Sequence, residues 1–405
     1  MGRKKDETIK LNGQTIKSKI ETLLYTVPYC SLYSISMLGK NANSIRKKKH
    51  MMANSDHTVQ TIRRKNGRLT AITSTEKLRE QYRSKNLETI LQDRQYKNEQ
   101  IENMKIRSEI AATIIAKGGT ICNTVEEIKS INTSCLNYID IAHIRLLINN
   151  VQDKELNNKG ISTLKGYCIN EGNFYSIYEI KRNSSYFYYN KESEDSMLRK
   201  IRQKSIEYNQ QTFKFPDLVK NINPSIVVCM QSQKEDDNFL ARYCNYRPEY
   251  NTKEKNKGAI NSLKGTDSEI TIIPWNLKRS SDFLHCALSP SYSKKINETK
   301  DTLEINFNSN NICKGNNSNY LIFMPLLKLK ELYKIVKYIE TEIQLYALSN
   351  ITIGCITYKE NMESLKPVFN QLKSRMIKQV SKENENYTLT ISLRLIDNEL
   401  PSLEI

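Results

Sequence analysis

A chain of 405 residues is longer than one ordinary hydrophobic core organises, so two or three domains are expected. Hydrophobic residues make up 38% and recur in clear patterns, which excludes a wholly disordered chain, and no apolar run reaches membrane-spanning length. The net charge of +18 is unevenly placed: residues 1–75 hold 15 Lys/Arg against 4 Asp/Glu, a net +11, and the rest of the chain carries about +7. A cationic end of this kind favours a polyanion or an anionic surface as partner.

The first elements are helical. Residues 15–27 place Ile16, Ile20, Leu23, Leu24 and Val27 at helical spacing, and Pro28 stops that helix and begins a shorter one over 29–38. Gly39 suits the following turn through its tolerance of positive φ. A third helix, 41–54, takes Asn41 or Asn43 as its cap and carries Arg46, Lys47, Lys48 and Lys49 beside Ile45, Met51 and Met52. A strand then runs to Arg64, Lys65-Asn66-Gly67 forms a turn, and a second strand starts at Arg68, Asn-Gly being a strong hairpin signal.

Three helices followed by a two-stranded ribbon is the order of a winged helix-turn-helix, in which the third helix enters the major groove and the ribbon meets the flanking backbone. The expected DNA-binding residues are Asn43, Ser44, Arg46, Lys47, Lys48, Lys49, Arg63, Arg64, Lys65 and Arg68. Of these, Asn43, Ser44 and Lys47 are the candidates for base contacts, and the others are expected to meet phosphates.

Residues 74–107 lack Gly and Pro and read as one or two charged connecting helices. "SEIAATIIAKGG" (108–119) reads as an apolar helix closed by a double glycine, and "TVEEIKSI" (124–131) as a helix capped by its threonine. Further on, strands are expected at 173–180, 184–190, 225–232, 268–275, 319–326, 350–358 and 387–396, with the first two forming a hairpin. Helices are expected at 191–208, 327–346 and 360–376, the last broken by Pro367. The stretches 245–267 and 288–318 read as loops. The fold class is therefore α+β and multidomain: a winged helix over 1–75, a helical connector over 76–160, and an α/β domain over 161–405.

Taken together, "VQTIRRKNGRLTAIT", "RSEIAATIIAKGGTI", "GYCINEGNFYSIYEIKRNSSYFYYNKESE" and the C-terminal apolar strands resemble the plasmid replication-relaxation proteins and their uncharacterised clostridial relatives on mobile elements. The resemblance covers most of the chain as a pattern of parts. It implies a winged helix that binds DNA through residues 46–49 and 63–68, in a plasmid or integrative-element setting of replication or transfer control. It implies no settled enzymatic activity. A tryptophan often seen after the tyrosine-rich strand of that family has no counterpart, Trp275 being the only one present.

Chemistry is harder to read from the residues. The nine cysteines are scattered singly without a C-x-x-C, and the four histidines show no zinc-ligand spacing, so neither a disulfide framework nor a metal or cofactor is expected. No P-loop and no G-x-S-x-G elbow is present. One alternative is a metal-dependent nuclease built on Glu179-Ile180-Lys181 and Asp217, although their order along the chain is wrong for that chemistry. Another is a non-catalytic interaction or dimerisation protein. The expectation is a cytoplasmic, double-stranded-DNA-binding protein, with a homodimer and a replication or mobilisation protein as further partners and no membrane association. RNA and anionic lipid are the runner-up partners, though the ribbon lacks the exposed aromatics of RNA-binding sheets.

Overall fold

The computed structural model describes residues 15–39, 42–63, 70–84, 98–124, 127–128, 131–144, 163–181, 224–233, 238–245, 263–275, 279–380, 386–396 and 400–403. The fold mixes α-helices with β-sheets. It divides into two compact units: one holds the described residues of Met1–Asp153 together with Lys165–Gly172, and the other those of Asn173–Arg199 and Ile222–Ile405.

The first unit opens with α1 (Ile16–Thr26), whose cap Thr15 accepts a hydrogen bond from the Ser18 amide at 3.1 Å. The second helix, α2 (Leu32–Met37), starts later than Pro28 and Tyr29 suggest, because Ser31 is the cap: its hydroxyl accepts from the Ser34 amide at 2.9 Å. Residues 28–30 instead form an extended link, and Cys30 exchanges both backbone hydrogen bonds with Ile72. Helix α3 spans Ala42–Asn54, with Asn43 inside its first turn, and Asn41 is outside the described residues. Gly39 is not in the left-handed region; a Cβ there would lie 3.2 Å from Ile45 Cδ1, so its role is close approach between the turn and α3.

The ribbon pairs β1 (Val59–Arg63) antiparallel with β2 (Thr70–Ser74), in a register that sets Arg63 opposite Thr70. Helices α4 (Glu76–Ser84) and α5 (Asn98–Ala116) follow, and α5 runs unbroken through the boundary expected near residue 107. The helices enclose Ile20, Leu23, Leu24, Ile35, Ile45, Met52, Ile72, Leu78 and Ile101, all at most 3% exposed. Buried hydroxyls tie the parts together. Ser108 Oγ accepts from the Ser31 amide at 3.1 Å, Thr73 donates to the Pro28 carbonyl at 2.7 Å, and Tyr82 donates to the Glu21 carbonyl at 2.6 Å.

Behind α5 lie β3 (Thr120–Ile121), β4 (Asn137–Asp140) and β5 (Leu164–Asn170); β5 falls at the start of "GYCINEGNFYSIYEI", where the resemblance implies a strand, and β3 and β4 are not anticipated. Strand β4 pairs parallel with β3 and antiparallel with β5. Between β3 and β4, the expected threonine cap is present. Thr124 Oγ1 accepts from the Glu127 amide, and Glu127 Oε2 accepts from the Asn123 and Thr124 amides, a reciprocal capping arrangement.

The second unit holds parallel strands β6 (Asn173–Ile180), β7 (Ser225–Gln231) and β8 (Ile270–Trp275), their central positions buried. Helix α6 (Phe239–Asn245) lies between β7 and β8, and α7 (Ser280–Ala287) and α8 (Pro290–Thr302) follow β8. A second sheet contains β9 (Ile312–Lys314), β10 (Asn319–Phe323), β12 (Asn350–Ile356) and β13 (Thr390–Leu395) in the order β13-β12-β10-β9. Short β11 (Leu327–Lys328) pairs antiparallel with β8 and leads into α9 (Leu329–Tyr346).

Two expectations for this unit need correcting. The supposed loop over 288–318 contains α8 and β9, since Ser289 caps α8 and Pro290 opens it. Helix α10 (Lys359–Val380) is not broken at Pro367, because the neighbouring Leu365, Val368, Phe369 and Leu372 are buried and hold the helix through the missing donor. The strand expected at 184–190 and the helix at 191–208 lie outside the described residues, as does Asp217.

Candidate nucleic-acid interface

Successive residues of an α-helix turn by about 100°, so α3 sorts its side chains by direction. Ile45 and Met52, at most 1% exposed, point into the unit and anchor the helix. Opposite them, Asn43, Lys47, His50 and Asn54 form an exposed row at i, i+4, i+7 and i+11. Arg46, Lys49 and Ala53 occupy the flank nearest α2, while Ser44, Lys48 and Met51 occupy the other. The expected residues of this helix are therefore spread over three directions. Asn43 and Lys47 face outward, Arg46 is exposed on the α2 flank, and Ser44, Lys48 and Lys49 are half-buried.

Among the described residues, Arg46, Lys47, Lys48 and Lys49 form no ion pair. The nearby acid Asp56 is instead engaged by Lys17 of α1 at 3.0 Å, which removes it as a competitor for the α3 cations. The Asn54 side-chain amide hydrogen-bonds the His50 ring one turn earlier. That contact orients both polar groups on the outward row.

His50 is visible in the sequence at the end of the basic run but is not among the expected DNA-binding residues, and Asn54 is not singled out there. Their signal was present in the spacing from Asn43 and Lys47. On the ribbon, Arg63 closes β1, and Arg64, Lys65 and Arg68 lie outside the described residues.

Between α2 and α3 runs an open groove of about 740 Å³. One wall carries Leu32 and Tyr33 of α2, 46% and 42% exposed, and the other carries Arg46, Lys49 and His50 of α3.

In the second unit, Glu179 is buried near the end of β6, where its Oε1 accepts from Gln231 Nε2 of β7 at 2.7 Å. Among the described residues, no three His, Cys, Asp or Glu side chains gather where they could hold a metal ion. The cysteines are free thiols, and seven of the nine are buried. No helix among the described residues is long and apolar enough to cross a membrane. Comparison with protein families, curated proteins and solved structures finds no match to this chain.

Proposed function

We propose that the protein binds double-stranded DNA through a winged helix formed by α1–α3 and the β1–β2 ribbon. In this reading α3 lies in the major groove and the ribbon follows the flanking backbone. The observation that carries it is the outward row of α3, where polar side chains able to read base edges sit among cations that have no acidic partner among the described residues. The backbone pairing of Cys30 with Ile72 adds support, since it draws the segment between α1 and α2 onto the ribbon and fixes the ribbon beside the helices. The setting on a plasmid or integrative element, with a role in replication or transfer control, rests on the family resemblance; a homodimeric state and a replication or mobilisation partner are further parts of the reading.

Titration of the full chain against a mixed-sequence duplex over a range of salt concentrations tests this. With about five residues meeting phosphates, log affinity should fall against log salt with a slope of roughly −4 to −5. A flat salt response overturns the proposal.

A further inference from the structure

We infer that the groove between α2 and α3 seats the sugar-phosphate backbone of one strand of the duplex, which makes Leu32 and Tyr33 DNA-contacting residues alongside Arg46 and Lys49. This rests on the DNA-binding reading of α3 and extends it to a second element.

The argument begins with dimensions. A helix with its side chains is about 10–12 Å across and the major groove of B-DNA about 12 Å wide, so a helix inside it brings its flanks against the bordering strands. The α2 flank of α3 carries Arg46 and Lys49, and beside it lies an open groove of about 740 Å³. The opposite flank offers Lys48 as its only cation, next to Met51 and Ser44.

The lining fits a nucleic acid strand. A DNA strand alternates an anionic phosphate with a deoxyribose whose ring face is apolar. The groove sets cations along its α3 wall, and on its α2 wall the large side chains of Leu32 and Tyr33, 46% and 42% exposed. Among the described residues, no acidic side chain lines it. The neighbouring Leu32 and Tyr33 give the α2 wall an apolar area against which the face of a sugar ring can pack. A strand held by Lys49 and Arg46 would lie across both.

The test uses the full chain and a single high-affinity duplex, with circular dichroism checking that each variant folds. Because Leu32 and Tyr33 are partly exposed, truncating them leaves the core intact. The L32S/Y33A double variant should weaken binding about tenfold, on the scale of losing one half-buried side-chain contact, and leave the salt slope unchanged. Lys49→Ala should lower the magnitude of the slope by about 0.9. Wild-type affinity in L32S/Y33A would overturn the inference, and a concurrent change of sequence preference in Lys47→Ala would show that the DNA reading itself survives. Absence of salt-dependent duplex binding by the wild type would sink both. Tyr33-dependent binding of a Glu-rich peptide, with duplex affinity indifferent to Tyr33, would give the groove to a protein partner and overturn the inference.

Discussion

His143 sits on the short turn after β4, 3% exposed, with its ring 5.9 Å from that of Tyr25 and its Nε2 without a hydrogen-bond partner. Burial pushes its pKa down to about 4; the Arg107 guanidinium pushes the same way, and the Asp140 carboxylate opposes them. Asp140 is itself fully buried and holds Arg107 through two hydrogen bonds, the Nε–Oδ2 one at 2.8 Å, while Tyr138 donates to the same carboxylate at 3.3 Å. In the unfolded chain a histidine titrates near 6.5, so between about pH 6.5 and pH 4 the unfolded state takes up a proton that the folded state refuses. Stability should therefore fall as pH drops through that window, by up to about 3 kcal/mol from this residue, and be unaffected by it above pH 7. Urea unfolding at pH 7 and pH 5 checks this: the wild type should lose more than His143→Gln over the interval. Equal losses in the two proteins would show that His143 does not carry the effect.

At the level of elements, legibility followed how one-sided each burial is. Helix α9 was readable because Leu329, Leu332, Ile335, Val336, Ile339 and Ile343 all fall on one face. Strand β5 was not legible from periodicity, because burial on both faces of "LKGYCIN" leaves no alternation. Helix α8 failed for the opposite reason: only Tyr292 and Ile296 are buried in a polar run, so caps rather than periodicity define it. In the candidate interface, the position of α3 and its cations were legible, since they depend on local pattern. The groove was not, because it needs the spacing between two helices.

The α5–β3 turn makes this dependence on packing testable. Gly118 takes φ 83°, and a Cβ on Gly119 would fall 2.6 Å from Ile114 Cγ2 and 2.9 Å from the Leu136 backbone oxygen. A backbone atom cannot move aside as a side chain does, so Gly119→Ala should destabilise the protein by about 1–3 kcal/mol, measured as a shift in the urea midpoint. A midpoint equal to the wild type would mean that the turn relaxes freely.

Along the whole chain, positive charge is concentrated towards one end of the sequence: net +11 falls within residues 1–75, and the other residues come to about +7. A localised cationic field should supply affinity for any duplex, and the outward row of α3 should supply choice among duplexes. These contributions separate by mutation. Reversing Arg64 and Lys65 to Glu changes the segment between β1 and β2 by four charges and leaves the sequence of α3 intact, so affinity should fall by a similar factor for every duplex tested, with their ranking preserved. Lys47→Ala removes one charge from the outward row, so its effect should be smaller on mixed-sequence DNA but should reorder the ranking. Selection from a random duplex library with each protein measures both quantities at once. The same reordering from the ribbon variant as from Lys47→Ala would mean that the ribbon, not α3, reads the sequence. Unchanged affinity in the ribbon variant would place the electrostatic contact elsewhere on the first unit.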